Sequence, residues 1–131
     1  MSDTPLKVEV SAGELIDKIT ILEIKAARFS DPAQVANVRR ELDALSGARD
    51  GALTASTELT ELTAELKAVN ERLWEIEDDI RAYERDQDFG DAFVALARAV
   101  YVTNDQRAAA KRRINDLVGS RLVEEKSYTS Y

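Results

Sequence analysis

Apolar residues between Leu59 and Tyr83 fall at alternating steps of three and four: Leu59, Leu62, Leu66, Val69, Leu73, Ile76, Ile80 and Tyr83. The run contains neither Gly nor Pro. Such a heptad seam requires one long helix whose stripe is buried against other helices, as in a coiled coil. Counted from a cap at Ser56 or Thr57 to Asp86, it reaches roughly 45 Å at about 1.5 Å per residue. The spacing predicts the spine of an all-α fold.

The elements before the spine are shorter. Leu6, Val8 and Val10 alternate with Lys7 and Glu9, a period-two pattern that fits a short extended arm over residues 1–10. Ser11 with Glu14 reads as a capping box, hydroxyl and carboxylate both answering free N–H groups, and starts a helix over about 11–29. Leu15, Ile19, Leu22, Ala26 and Phe29 form its seam, and Ile16, Ile21 and Ile24 widen the apolar surface, so this helix is expected to meet more than one neighbour. Asp17, Ile21, Lys25 and Arg28 make a mixed face, expected to be an ion-paired surface. Ser30-Asp31-Pro32 is a stop and a restart, with Pro at the first helical position of a second helix over about 32–46. Val35, Val38, Leu42 and Leu45 line one side of it. Gly47 and Asp50-Gly51 are expected to break it, leaving residues 48–55 as the least structured link.

A fourth helix, over about 90–119, begins with Phe93, Leu96, Ala97 and Val100 on one side and ends with Ile114, Leu117 and Val118 before Gly119. Between them, Asn104, Arg107 and Lys111 stand where the count expects apolar residues. A short turn near residue 88 makes the third and fourth helices antiparallel. The expected register puts Val100 near Ile76, Arg107 near Val69 and Asn70, and Lys111 near Leu66 and Glu65. The expected architecture is one helical domain over 1–131: an all-α bundle on a long antiparallel hairpin (about 56–86 and 90–119), with two shorter helices (about 11–29 and 32–46) laid along it. A tail over 120–131, containing Leu122 and Val123, packs on the bundle or the arm, or stays disordered.

Composition narrows the chemistry. The chain has no Cys and no His, which removes disulfides, thiol nucleophiles, thiolate metal sites and the commonest general base. A hydrophobic share of 44% in 131 residues is enough for a core without staples. Residues 1–6 show no apolar signal region and no run is long enough to span a membrane, so a soluble cytoplasmic protein without membrane insertion is expected. A net charge of −7 and a pI near 4.7 oppose nucleic-acid binding, and none is expected. The charge is uneven: 58–91 is acid-rich, whereas Arg107, Lys111, Arg112, Arg113 and Arg121 are basic.

Two clusters are candidate sites. Glu71, Glu75 and Asp78 share a helix face, as the Mg²⁺-binding carboxylates of all-helical nucleotide pyrophosphohydrolases do. A solvated face is the expected reading, since charged residues are the ordinary composition of the outside of a long helix and a facing acidic pair is not evident, and no metal or other cofactor is expected. Arg98, Asn104, Asp105, Arg107 and Lys111, with Asn70 opposite, could hold a phosphate or carboxylate, such as that of a sugar nucleotide. Burying Arg without a partner is costly. The alternatives are that Arg107 and Lys111 pair internally with Glu65, Asn70, Asp17 or Asp105 and set the register, or that they face a protein partner. Glu124, Glu125 and Lys126, followed by Tyr128, have the charge to fold back over this cluster. Trp74, beside the seam, is expected in a secondary core, and Tyr101, Tyr128 and Tyr131 at core edges.

Several blocks resemble one family of small, mainly bacterial proteins of uncharacterised function. They are Gly13 to Lys25 (GELIDKITILEIK), Leu73-Trp74 with Glu77-Asp78, Asn104-Asp105 with Arg107-Ala108, Lys111-Arg112, Ile114-Asn115, and Glu124-Glu125-Lys126-Ser127-Tyr128. The resemblance spans nearly the whole chain. It implies an intracellular bacterial protein linked to surface-polysaccharide and glycosyltransferase genes, and it brings no activity. With no catalytic constellation in view, the expected function is a non-enzymatic interaction or assembly protein, working with an unknown protein partner or as a homodimer that buries seam left over at one end of the hairpin.

Overall fold

The computed structural model describes residues 5–120, 122 and 124–131. The first four residues of the expected arm, and Arg121 and Val123 of the tail, lie outside the described residues. The fold is an all-α helical bundle, with four helices among the described residues: α1 Ala12–Arg28, α2 Pro32–Ala52, α3 Thr57–Arg85 and α4 Asp91–Val118. Among the described residues no helix is long and apolar enough to cross a membrane. Residues 5–10 are exposed and form no strand.

Short polar side chains set the helix starts. Ser11 Oγ accepts from the Glu14 N–H at 3.1 Å, Asp31 Oδ1 from Ala33 at 3.2 Å with Pro32 opening α2, and Ser56 Oγ from Leu59 at 3.1 Å. Each bond satisfies a donor that the first turn leaves free. The capping box at α1 is only half made, because the Glu14 carboxylate reaches Lys111 instead. Gly119 ends α4 in the left-handed region (φ 66°), where only glycine is unstrained.

Two expectations need correction. α2 does not stop near residue 46 but runs through Gly47 and Gly51 to Ala52, so the link shrinks to Leu53–Ser56. Both glycines face open space, and a helical Gly costs only about 1 kcal/mol relative to Ala. Nor does α2 lie along the long hairpin: it packs on α1 alone, while α1 touches all three other helices. The layers are therefore α2, then α1, then the α3–α4 pair. That order explains the wide apolar surface of α1, where Ile16, Ile19, Leu22 and Ile24 are all buried, and the sparse burial of α2, where only Val38 is.

α3 and α4 are antiparallel. Arg72 donates to Gln106 at 3.2 Å and Arg113 meets Glu65. The register is displaced by about two residues from that expected, and Glu65 consequently answers Arg113 rather than Lys111. The core cluster of Ile16, Leu59, Leu66, Ala110 and Ile114 lies where α1 begins, α3 begins and α4 ends. At 17 residues α1 is about 26 Å long, against about 44 Å for the 29-residue α3. Its last contacts are Arg28 with Glu75 at 2.6 Å and Phe29 with Trp74, ring centroids 6.0 Å apart. Beyond them the hairpin continues uncovered, and no residue from Glu71 to Val102 is fully buried.

Candidate functional site

The polar centre of the molecule is made by α1 and α4, which cross antiparallel at very short range. A Cβ on Gly13 would stand 2.5 Å from the Lys111 carbonyl oxygen, so only glycine permits this approach. The Gly13 N–H donates to Asn115 Oδ1 at 2.7 Å, and the Ala12 N–H to Ser120 Oγ at 3.2 Å. The free N–H groups of α1's first turn are thus answered by the end of α4 and the start of the tail.

One turn further along α1, Asp17 is only 1% exposed. Its carboxylate takes a two-pronged ion pair from Arg107, with Nε to Oδ1 at 2.9 Å and Nη2 to Oδ2. Asn70 of α3 donates through Nδ2 to Asp17 Oδ1 and Thr20 Oγ1, both at 2.9 Å, and the Thr20 hydroxyl donates to the Asp17 carbonyl at 2.8 Å. Three helices are pinned by one carboxylate. Asp17, read from sequence as part of an ion-paired surface, is instead at the centre of the buried network. The hydrogen bond to Asp17 raises the Arg107 pKa despite the opposing effect of burial.

A turn back, Lys111 is buried except for its reach toward Glu14 Oε2 at 2.9 Å and Glu124 Oε2 at 2.8 Å. Burial is the strongest influence on Lys111 and acts to lower its pKa, but the hydrogen bonds to Glu124 and Glu14 outweigh it and the value is raised above 10.5. An ammonium held in this state is neither a base nor an amine nucleophile at neutral pH. In turn Lys111 holds Glu124 below its ordinary carboxylate value.

The tail runs back along α4. Glu125 meets Arg112 at 3.1 Å, the Tyr131 hydroxyl donates to Asp105, and the Tyr131 ring lies 5.2 Å from that of Tyr101. Accepting that bond, Asp105 raises the Tyr131 pKa. Tyr128, 81% exposed, carries Lys126 over its ring at 5.6 Å. None of Tyr101, Tyr128 and Tyr131 is at a core edge as expected; all three are exposed.

The structure thus brings Asn104, Arg107, Lys111, Glu124 and Lys126 to one polar cavity of about 210 Å³ beside Glu14, with Asn70 behind Arg107 at Asp17. Arg98 is exposed on α4, more than two turns from Lys111, and does not join them. Glu71, Glu75 and Asp78 are exposed on α3, with Glu75 taken by Arg28. Among the described residues no group of three or more acidic side chains is placed to hold a metal ion, so the facing acidic pair that a pyrophosphohydrolase requires is missing there. Trp74 is half-buried against Phe29, with Arg28 over its ring at 5.6 Å. The residues that sequence reading undervalued are Gly13, Asp17 and Thr20. Their signal was their spacing at i, i+4 and i+7, which puts three small residues in one stripe of α1.

Compared with known proteins, residues 6–131 match DUF6165, a family of unknown function. No curated protein and no solved structure matches the chain. With nearly its whole length matched, the chain belongs to this family.

Proposed function

We propose, for this member of a family whose function is unknown, that the chain is a non-enzymatic assembly protein that pairs with a second copy of itself through the distal half of the α3–α4 hairpin. The observation that carries the reading is the mismatch of helix lengths. α1 ends at Arg28, opposite Glu75 of α3, yet the seam continues through Ile76, Ile80 and Tyr83, faced by Phe93, Leu96 and Val100, all only half-buried. Phe89 and Val94 beside them are 49% and 50% exposed.

The total surface points the same way. The chain exposes 9018 Å², whereas a compact monomer of 14.6 kDa exposes about 6,900 Å². The arm and tail contribute part of this excess of roughly 2,100 Å², which is well above the roughly 800 Å² per partner that a standard interface covers. Two hairpins set seam to seam form a four-helix arrangement with a two-fold axis near Ile80. An antiparallel pairing keeps the acidic tips, Glu84, Asp86, Asp88 and Asp91, at opposite ends of the interface. The non-enzymatic part of the reading is supported by the pairing of Arg107 and Lys111 with carboxylates of the same chain. Within this reading the protein works in the bacterial cytoplasm, in assemblies of surface-polysaccharide synthesis, the setting that the resemblance of the Gly13–Lys25 block implies.

Light scattering tests the pairing. The unaltered chain at tens of micromolar is expected at twice 14.6 kDa, and Ile80→Asp or Phe93→Asp at the single mass with helical content retained. An unaltered chain that stays at 14.6 kDa overturns the reading.

A further inference from the structure

We propose that the cavity between α4 and the tail is a binding site for a phosphorylated small molecule carrying a ring, and that the chain's own Glu124 carboxylate occupies its phosphoryl position in the structure described. The position is built by α4, which presents Asn104, Arg107, Ala108 and Lys111 on one face; Ala108, ending at its methyl group, leaves the opening. The resulting polar cavity of about 210 Å³ is several times the roughly 30 Å³ that a water molecule takes in the liquid.

Unused donors converge there. The Asn104 amide has no hydrogen-bond partner among the described residues, and the Lys126 ammonium meets no carboxylate among them, only the Tyr128 ring. Arg107 spends Nε and Nη2 on Asp17 and keeps Nη1 free. A planar guanidinium and two ammonium groups around one opening suit the oxygens of a phosphoryl group. With Glu124 in place the charges cancel, Arg107, Lys111 and Lys126 against Asp17, Glu14 and Glu124. Once Glu124 leaves, one positive charge remains unanswered.

Glu124 is well suited to leave. Its side chain is 41% exposed where it meets Lys111 and can swing outward while Glu125 on Arg112 and Tyr131 on Asp105 keep the tail against α4. Next to the phosphoryl position lies a larger cavity of about 860 Å³, lined by Tyr101, Tyr128 and Tyr131 and sharing Asn104, Glu124 and Lys126. Its aromatic faces suit a sugar or base ring. This assignment does not depend on the proposed dimer, whose seam is centred near Ile80 and meets the cavity only at Val100.

Calorimetric titration of the full chain with inorganic pyrophosphate and with adenosine diphosphate at low ionic strength is the test. Glu124→Gln is expected to bind pyrophosphate about tenfold more tightly than the unaltered chain, because a site nine-tenths filled by its own carboxylate has its apparent affinity reduced by that factor. Adding Lys126→Ala to that variant is expected to undo the gain. Both residues are exposed, so circular dichroism should show both variants folded. Because Lys126 meets the ligand, pyrophosphate should also slow tryptic cleavage after Lys126 in the unaltered chain. Equal pyrophosphate affinity with and without Glu124, or no binding by Glu124→Gln, overturns the site. Adenosine diphosphate binding no more tightly than pyrophosphate overturns the assignment of the tyrosine-lined cavity to a ring.

Discussion

Asp17 is the residue on which the arrangement of three helices depends. Its carboxylate is almost wholly enclosed and holds Arg107 with both oxygens while accepting from Asn70. Removing one partner of such a pair leaves the other charge unanswered, which costs about 3–5 kcal/mol. Asp17→Ala should therefore lose that much in urea unfolding, and Arg107→Ala in the same background should add little, since the two act on one interaction. Gly13→Ala probes the crossing one turn away: the added methyl meets the Lys111 carbonyl and should cost about 1–3 kcal/mol, as overpacking against backbone does, read as a drop in melting temperature. The sequence pattern pointed to Arg107 and Lys111 as the break in α4's stripe and named Asp17 among the partners. It did not reveal that Asp17 is buried, because Lys25 and Arg28 on the same side of α1 made that face look solvated. The geometry that buries it, the close approach at Gly13, is a tertiary fact.

At the level of elements, the caps at Ser11, Asp31, Ser56 and Gly119 and the seam of α3 were legible because each is local chemistry: a side-chain oxygen near free N–H groups, a glycine at positive φ, an apolar stripe of fixed period. The length of α2 was not. Two glycines within one turn read as a breaker, yet their combined penalty is small enough for the surrounding helix to absorb. Gly47→Ala and Gly51→Ala should each stabilise the protein by about 0.4–1 kcal/mol, since nothing lies within 4 Å of either added methyl; thermal melts would show this. The tail is held by titratable groups, and the signs are definite. Glu124, lowered by Lys111, contributes stability that is present above 4.5 and is lost as pH falls through its lower docked value. Lys111, raised, contributes stability that is present below 10.5 and is lost as pH rises through its higher folded value. The amide signals around Glu124 should shift on acidification below 4.5, and in Glu124→Gln they should already be shifted at neutral pH, with those near Tyr131 unmoved because its contact with Asp105 is kept.

For the whole molecule, the consequence of these lengths and layers is an unfinished surface. α2 spends its one apolar face on α1, so neither short helix reaches the distal hairpin. That outcome was half legible: the excess of seam over cover follows from counting residues, but the stacking of α2 on α1 follows from α1 being apolar on two sides and could not be read from α2. The distal segment carries more acids than bases, so added salt, by screening repulsion between the copies, should tighten the dimer, as sedimentation over a salt series would show. The sharpest test of the pairing uses the absence of cysteine, which lets Asp79→Cys or Asp43→Cys carry a single spin label per chain. Any dipolar coupling then arises between copies. With the axis near Ile80 and neighbouring helices packed roughly 8–10 Å apart, the label at 79 should give an intermolecular distance below about 40 Å, and that at 43, on the outer helix α2, a longer one. No coupling at 79, or a shorter distance at 43 than at 79, would contradict assembly through the distal hairpin.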